Sequence, residues 1–258
     1  MPRTPYVTPE HNVIKNLDFI EEYFCFEKTD STNSFAKELK NFPVSGITVI
    51  RALKQSGGRG RLNKTFFSDH SGGLWVSVVT PVKSVSDHFI YNRALSLAVC
   101  ETLKNIDSRS SEKIKIKWPN DIYWGERKTA GILLENISAN PNVIIAGLGL
   151  NVNIAREDFP AELRRSATSV LIETGQIISQ DFLLESILKA YRQFSNKESD
   201  MKSVHERYVE NLYKKGRAAV IDSLSGTFLT VEPDGQLRMQ TAHGDKLYSC
   251  GTLRFSES

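Results

Sequence analysis

The sequence predicts an α+β fold in which a mixed, largely antiparallel sheet with helices is followed by a small β-barrel or sandwich. Strand-like apolar runs and helical periodicity alternate irregularly, four strand signals follow one another closely between residues 114 and 148, and short strands with tight turns begin beyond residue 216. A chain of 258 residues that is 40% hydrophobic and 24% charged suits one large domain and one small one. We therefore divide it into residues 1–215 and residues 216–258.

The first part of the chain contains alternating strands and helices around one long loop. The predicted elements are an irregular arm over residues 1–16, strands over 23–27, 47–53 and 74–79, and helices that start near residue 31 and span 86–105. The helix at Ser31 follows from a cluster of capping residue types and from the helical spacing of Phe35, Leu39 and Phe42. The segment 54–72 is long and rich in glycine and basic residues, which is typical of a functional loop.

The second part begins with closely spaced strands and ends with the small β domain. The predicted elements are strands over 114–117, 121–124, 129–137 and 143–148, a hairpin turn at 124–127, helices over 180–195 and 200–214, strands over 228–232, 237–240 and 246–250, and turns at 233–235 and 243–245. The second helix is expected to stop at Lys214-Lys215-Gly216. A β domain of about 40 residues is small for independent stability, so we expect it to dock on the larger one.

Composition narrows the class of protein. A formal charge of +3 is too small to indicate a nucleic-acid binder. No apolar run approaches the roughly 20 residues that span a bilayer, and residues 1–16 contain no signal-peptide core. Cys25, Cys100 and Cys250 are widely spaced and odd in number, so we expect free thiols in a reducing compartment. The chain is therefore predicted to be cytoplasmic, without a membrane partner.

A glycine- and arginine-rich loop is the first segment that suggests chemistry. Gly57-Gly58-Arg59-Gly60-Arg61 and Lys64 combine three cations with a backbone that an anion can approach closely, which suits a phosphate. The spacing nearly fits a P-loop, but Asn63 occupies the position of the second glycine, and the dinucleotide fingerprint is also incomplete. Taken alone, the loop could equally be a solvated basic segment or a nucleic-acid contact.

Three further segments are ambiguous when each is taken alone. Ser31-Thr32-Asn33 suits a helix cap, Trp118-Pro119-Asn120-Asp121 suits a turn beside a core tryptophan, and Lys128 could be a surface lysine. The alternative is that the turn directs Asn120 and Asp121 into a site. Lys128 would then bring a positive charge between a carboxylate and a phosphate.

In this order and at these spacings, the segments resemble the biotin protein ligases over roughly residues 24–255. The resemblance also covers Gln55, Lys117–Asp121, Lys128–Glu135 and Gly147–Asn151. It implies a class II synthetase-like catalytic domain followed by an SH3-like β-barrel. It also implies an ATP-dependent ligase that activates biotin as biotinyl-5′-AMP and then transfers it to a lysine of a biotin carboxyl carrier domain, with Mg²⁺ as the metal.

The resemblance implies a role for each residue of the matching motifs. Biotin would contact Ser31, Thr32, Asn33, Gln55, Gly58, Arg59, Arg61, Lys128, Gly131, Ile132, Leu133 and Gly149. Among these, Ser31, Thr32 and Gln55 would bind the ureido ring, and Gly131, Ile132, Leu133 and Gly149 would line an apolar slot for the rest of the biotin chain. Arg59 and Arg61 would clamp the carboxyl and phosphate side. ATP would contact Arg59, Arg61, Lys64, Phe66, Asn120, Asp121, Lys128 and Asn151. Lys128, Arg61 and Asp121 would act in catalysis, Asp121 would also bind Mg²⁺, and Arg61 would help to retain the adenylate.

This chain departs from the family pattern in its basic loop. The family usually continues with Gly-Arg and then Trp, whereas Asn63-Lys64-Thr65-Phe66 stands here. Lys64 keeps the charge but not the bidentate fork of arginine, and Phe66 lacks an indole N–H. Residues 154–167 correspond to a segment that orders over the adenylate in relatives, but their sequence is not diagnostic. About 20 residues precede the catalytic part, too few for a helix-turn-helix domain, so we expect no DNA binding.

Two other functions are weighed against biotin ligation. A lipoate or octanoate ligase or transferase shares the fold in family terms, but the Gly-Arg loop and the Trp118–Asp121 segment favour biotin. A non-catalytic biotin-binding module would not need Arg61, Asp121 and Lys128. The expected partner is the carrier domain of a biotin-dependent carboxylase, and the sequence leaves a monomer and a homodimer open.

Overall fold

Two β-sheets organise the chain in this computed structural model, which describes residues 14, 16–84, 87–137, 140–196 and 200–255. Most of the predicted N-terminal arm therefore lies outside the described residues. In the described part, no helix is long and apolar enough to cross a membrane.

The larger sheet has seven strands in the order β1-β2-β3-β7-β6-β5-β4. Its strands are β1 (Ile20–Thr29), β2 (Ile47–Gln55), β3 (Gly73–Pro81), β4 (Ile114–Lys117), β5 (Asp121–Trp124), β6 (Arg127–Ile137) and β7 (Asn140–Asn151). Strands β1 and β2 are parallel, and every other neighbouring pair is antiparallel. The predicted mixed, largely antiparallel sheet is thus confirmed, as is the hairpin turn that joins β5 to β6.

Helices cover both faces of this sheet. They are α1 (Thr32–Lys37), α2 (His88–Ile106), α3 (Val170–Thr174), α4 (Gln180–Ser195) and α5 (Met201–Glu210), with short 3₁₀ turns at Arg61–Asn63 and Ser108–Lys113. Strand β3 is apolar over most of its length because its two faces pack into different clusters, Val76 and Val78 against α2 and Val79 on the opposite face near α1. Burial on both faces explains why the strand lacks polar alternation.

Two helices are shorter than the sequence predicts. Helix α1 ends at Lys37, although Leu39 still packs against the same cluster as Ala36. Helix α5 ends at Glu210 because the next residues add to the edge of β4. Ile116 N donates to Asn211 O, and Tyr213 N donates to Ile116 O, both at 2.8 Å. Pairing with the sheet thus overrides a helical pattern that continues to residue 214.

The smaller sheet is antiparallel, with strands in the order β11-β10-β9-β8-β12. Its strands are β8 (Ala218–Ile221), β9 (Leu224–Val231), β10 (Leu237–Thr241), β11 (Gly244–Tyr248) and β12 (Arg254–Phe255). Strands β9, β10 and β11 correspond to the predicted ones, and β8 and β12 are additional. The turn at residues 233–235 is where it was predicted, and Gly244, with φ of +97°, opens β11.

The smaller sheet packs directly on the larger one. Trp118 Nε1 donates to Gly235 O at 3.0 Å, so the turn between β9 and β10 is held against the turn between β4 and β5. Phe228, Leu237 and Met239 of the small sheet belong to the same apolar cluster as the α2 face of the large sheet. The predicted docking is therefore present, and it is mainly apolar.

Candidate active site

A cavity of about 250 Å³ lies where the Gly-Arg loop, the β4–β5 turn and the glycine-bearing strands β6 and β7 meet. Its lining includes Ser31, Thr32, Asn33, Gln55, Gly58, Arg59, Arg61, Lys64, Phe66, Asn120, Asp121, Lys128, Gly131, Ile132, Leu133 and Gly149. All the residues predicted to contact biotin are in that set. The predicted segments, which extend from Ser31 to Gly149 in the sequence, thus line one cavity.

Asn151 does not belong to this lining, although it was predicted to contact ATP. Its side chain is buried, and its Nδ2 donates to Thr168 O at 2.9 Å. Thr168 also donates its backbone N–H to Lys128 O at 2.9 Å, and Lys128 N donates to Ser166 O at 2.8 Å. Asn151 therefore anchors the 154–169 segment beside Lys128 rather than facing the cavity.

The Gly-Arg loop folds back on itself so that its second half covers the cavity. Gly60 N donates to Lys64 O at 2.7 Å, and Phe66 N donates to Gly58 O at 3.0 Å. A Cβ on Gly58 would lie 2.0 Å from Ser68 Oγ, so this close approach requires glycine. Arg61 lies on the cavity wall, and no ion pair to it occurs among the described residues.

One end of the cavity is cationic. Lys128 Nζ lies 2.7 Å from Asp121 Oδ1, on the neighbouring strand, and 5.3 Å from the centroid of the Phe66 ring. Lys117 also lines this end. Burial lowers the pKa of Lys117, the Lys128 charge lowers it further, and the Asp121 carboxylate opposes both. Lys117 and Lys128 outnumber the single carboxylate at this end, which suits an anionic ligand.

The opposite end presents hydrogen-bonding groups from the start of α1 and the end of β2. Ser31 caps α1, and its Oγ accepts from Ser34 N. Thr32 N donates to Gln55 Oε1 at 2.7 Å, and the Thr32 hydroxyl lies 3.1 Å from the same oxygen. All three of the predicted ring-binding side chains are buried at this end, so the cap and the polar site use the same residues.

A narrow apolar slot joins the two ends. A Cβ on Gly149 would lie 2.6 Å from Phe66 Cε1, and one on Gly131 would lie 3.1 Å from Phe66 Cε2. The Phe66 ring therefore packs over both glycines. It also meets the Trp75 ring edge to face, with 6.1 Å between the two ring centroids. Phe66, which was predicted on the nucleotide side, thus lies beside the slot predicted for the biotin chain.

Two of the residues predicted to contact the substrates, Asn120 and Arg59, form hydrogen bonds with other residues of the protein. Asn120 Nδ2 donates to Ile132 O, which ties the β4–β5 turn to β6. Arg59 Nη2 donates to Ser34 Oγ at 3.0 Å and lies 3.9 Å from Glu135 Oε2. The Arg59 guanidinium therefore points toward the polar end, whereas it was predicted on the carboxyl and phosphate side.

The cavity also includes residues to which the sequence analysis assigned no ligand role. Among them are Leu62, Val76, Lys117, Gly147, Leu148 and the segment 251–253. Lys117 and Gly147 are the first residues of quoted motifs, so the signal was present for both. The segment 251–253 precedes β12 and carries no motif, so only the packing of the smaller sheet reveals it.

Asp121 is the predicted metal ligand. Within the described ranges, no group of three or more His, Cys, Asp or Glu side chains could hold a metal ion. One carboxylate beside an open, cationic cavity fits Mg²⁺ that arrives with nucleotide phosphates, since this ion often uses one or two protein carboxylates and keeps phosphate and water ligands.

Comparison with known proteins agrees with this geometry. Residues 25–152 match the model of the Biotin/lipoate A/B protein ligase family. The "Bifunctional ligase/repressor BirA" of Bacillus spizizenii is 32% identical over 235 residues, which cover 85% of this chain and 70% of that protein. The "Biotin--[acetyl-CoA-carboxylase] ligase" of Paracoccus denitrificans is 30% identical over 168 residues, which cover 64% of this chain and 69% of that protein.

Solved structures give the same result over the whole fold. The "Biotin protein ligase from Aquifex aeolicus in complex with biotin and ATP" superposes with a TM-score of 0.79 at 26% identity, covering 92% of this chain and 100% of that one. A Leishmania major biotin protein ligase in complex with biotin has a TM-score of 0.62 at 20% identity, which supports the fold alone. On the family match and the 32% identical relative, this chain belongs to the Biotin/lipoate A/B protein ligase family.

Proposed function

We propose that the chain is an ATP-dependent biotin protein ligase that forms biotinyl-5′-AMP and transfers the biotinyl group to a lysine of a carrier domain. The observation that carries this proposal is that three features share one cavity: a hydrogen-bonding end at Thr32 and Gln55, an apolar slot, and a cationic end at Lys128. Biotin has a polar ureido ring, an apolar chain and a carboxylate in that order. Relatives from Paracoccus denitrificans and Aquifex aeolicus are named for this ligation.

The first step joins two anions, so it needs positive charge at the point where they meet. A biotin carboxylate oxygen attacks the α-phosphorus of ATP, a new P–O bond forms, and the bond to the bridging oxygen breaks to release pyrophosphate. Lys128 lies at the cationic end and would contact both anions once they displace part of its pairing with Asp121. Arg61 and Lys117 would offset the remaining phosphate charge.

The second step needs no enzyme nucleophile. The carrier lysine amine attacks the acyl carbon of the adenylate, an amide bond forms, the acyl–phosphate C–O bond breaks, and AMP leaves with the electron pair. Asp121 would orient the amine or take up its proton, and Arg61 would hold the phosphate of the adenylate until the carrier arrives. Mg²⁺ would reduce the phosphate charge in the first step, with Asp121 as the protein ligand.

The polar end of the cavity argues against lipoate or octanoate as the substrate. Thr32 and Gln55 are buried, and Gln55 Oε1 is occupied by Thr32, so an apolar dithiolane or alkyl end would leave the Gln55 NH₂ group without a partner among the described residues. Burying an unpaired polar group costs about 1–3 kcal/mol. The carbonyl of a ureido ring can accept from this NH₂ group.

Several narrower points stay predictions. They are the boundary between residues 215 and 216, the identity of the carrier, a cytoplasmic location, the absence of DNA binding and the oligomeric state. Names of relatives that refer to acetyl-CoA carboxylase support a carboxyl carrier domain as the protein substrate.

A transfer assay tests the proposed function. The purified chain is incubated with ATP, biotin and an isolated biotin carboxyl carrier domain, and the mass of the carrier is measured. We expect one biotinyl group per carrier domain, and none on a carrier in which the target lysine is replaced by arginine. Parallel reactions contain lipoate or octanoate in place of biotin, and transfer of a lipoyl or octanoyl group with no transfer of biotin would contradict the proposal.

A further inference from the structure

We propose that Glu173, which does not line the cavity, is a positioning residue that holds Lys128 where adenylate formation needs it. It acts through Thr168 and Arg127, which are bonded to the backbone of Lys128 or directly precede it. The inference rests on the proposed function, because the ammonium that Glu173 positions is the one assigned to the biotin carboxylate and the α-phosphate.

Lys128 lies at a β-bulge, where strand β6 leaves its regular register with β5. Ile122 of β5 pairs with Ala130 of β6. The next residue of β5, Tyr123, pairs with Lys128, so one residue of β6, Thr129, is left over. A bulge of this kind bends the strand and redirects the side chains beside it.

The bulge determines which face of the sheet Lys128 occupies. In a regular strand, side chains alternate between the two faces, so Lys128 would share a face with Ala130, which is buried in the apolar core. Its ammonium lies instead on the side of Gly131, where a Cβ would lie 3.1 Å from Lys128 Nζ. Lys128 therefore reaches the cavity because β6 is bulged, and a return to the regular register would turn it away.

The segment 166–168 holds the backbone of Lys128 at the bulge. Lys128 N donates to Ser166 O at 2.8 Å, and Thr168 N donates to Lys128 O at 2.9 Å. Lys128 and Ala167 thus form a parallel bridge. Both backbone polar groups of Lys128 are bonded to this segment, so a shift of the segment would shift the lysine with it.

Glu173, in α3, fixes this arrangement from two sides. The Thr168 hydroxyl donates to Glu173 Oε1, and Arg127 Nη2 lies 2.7 Å from the same oxygen. Thr168 is fully buried and the Glu173 side chain is 16% exposed, so the carboxylate is largely shielded from solvent. Hydrogen bonds to a carboxylate are stronger than those between neutral groups. One oxygen therefore joins the residue that binds the Lys128 carbonyl to the residue that directly precedes Lys128.

Loss of Glu173 is expected to change the reaction through the position of the Lys128 ammonium. Glu173→Ala removes both contacts, which releases the segment 166–168 and the start of β6. We expect the rate constant of adenylate formation at saturating biotin and ATP to fall about 30-fold, because a displacement of about 1 Å can cost about 100-fold. Glu173→Gln keeps an oxygen that accepts from Thr168 and Arg127, so it should lose only about threefold.

A double-mutant cycle with Lys128→Ala separates positioning of Lys128 from a general structural role. Biotin-dependent pyrophosphate release is followed in single turnovers with the chain in excess, so that slow variants remain measurable. Glu173→Ala should lower the rate about 30-fold in the wild-type background and less than about threefold in the Lys128→Ala background. A general structural role would lower the rate by the same factor in both.

Two further variants control for misfolding and for the loss of any ion pair. Thr168→Val removes the hydroxyl that donates to Glu173 and keeps the backbone N–H that bonds to Lys128, so it should lower the rate about tenfold. Where Glu173→Ala does not fold, this variant takes its place in the cycle. Glu101→Ala removes a carboxylate that pairs with Arg207 between α2 and α5, outside the cavity lining, and should keep the wild-type rate.

The wild-type chain distinguishes failure of this inference from failure of the proposed function. Wild-type rates in both Glu173→Ala and Thr168→Val, or equal losses in the two backgrounds of the cycle, would overturn the role of Glu173 and leave the proposed function standing. Absence of biotin-dependent pyrophosphate release from the wild-type chain would overturn the proposed function and this inference together.

Discussion

Lys128 is the side chain on which the proposed first step depends most. Its Nζ lies 2.7 Å from Asp121 and beside the Phe66 ring, at the end of the cavity where two anions would meet. An ammonium held near this position by a carboxylate and an aromatic face needs only a small adjustment to stabilise the charge that develops in the reaction.

We expect Lys128→Ala to raise the barrier of adenylate formation by about 2–4 kcal/mol, the scale of losing one preorganised charged donor. The measurement is the rate of biotin-dependent pyrophosphate exchange. Lys115→Ala is the control, because Lys115 is a lysine of β4 that pairs with the exposed Glu112 outside the cavity. Wild-type exchange in Lys128→Ala would exclude the proposed role.

Arg61 lies on the cavity wall without a carboxylate partner among the described residues, which leaves its guanidinium for a phosphate. We therefore expect Arg61→Gly to release biotinyl-5′-AMP before transfer, so that lysines of unrelated proteins become biotinylated. Mass spectrometry of a mixture of carrier and bystander protein measures this. Arg109→Gly, at a side chain that is 89% exposed, is the control. Labelling that stays on the carrier lysine in Arg61→Gly would contradict retention by Arg61.

The motifs predicted most of the cavity wall, because they combine residue types that chemistry requires. The motifs gave a wrong placement where a side chain forms hydrogen bonds within the protein and does not face the cavity. Asn151 is adjacent to a glycine motif, but its amide binds Thr168 O and holds the neighbouring segment. The segment 251–253 was missed because Gly251, Thr252 and Leu253 form no motif, and only the packing of the smaller sheet brings them to the cavity.

The elements that the sequence predicted are those whose pattern is strong and local. Strands β2, β3 and β7 are long apolar runs, and α2 and α4 have sustained periodicity. Helix α3 has five residues, and β12 has two, which is too short for any period to be visible. The end of α5 was misplaced because residues 211–213 pair with β4, and no local pattern encodes that contact.

The turn between β9 and β10 packs against the larger sheet and so joins the two sheets. Gly235 has φ of +93°, and a Cβ there would lie 2.4 Å from Phe89 Cδ2. Gly244 has a similar φ of +97°, but nothing lies within 4 Å of its Cβ position. The two glycines therefore share a backbone requirement and differ in packing.

We expect Gly235→Ala to reduce the free energy of unfolding by about 1–3 kcal/mol more than Gly244→Ala, which is the usual cost of overpacking. Denaturant unfolding of both variants measures the difference, with the shared φ strain cancelling. Equal losses would mean that the contact with Phe89 adapts at no cost.

The molecule as a whole completes its cavity with residues from both sheets. Gly251, Thr252 and Leu253 line the cavity together with residues of the Gly-Arg loop, and Trp118 in the β4–β5 turn donates to Gly235. Removal of the predicted small domain would therefore take away part of the cavity wall and release the turn that directly precedes Asp121.

We expect a chain that ends at Lys215 to lose about 100-fold in exchange rate, because small misplacements of a catalytic turn have effects of this size. Circular dichroism checks that the helices remain, and a chain that lacks only residues 256–258 is the control. A folded chain ending at Lys215 with full activity would show that the small sheet takes no part in adenylate formation.

The measurement that tests the central claim most directly is ATP–pyrophosphate exchange by the purified chain without carrier protein, with biotin, with lipoate and with no acid. Biotin ligation predicts exchange with biotin and none with lipoate or without acid. Exchange with lipoate and none with biotin would contradict it and would assign the cavity to the lipoate ligases of the same family.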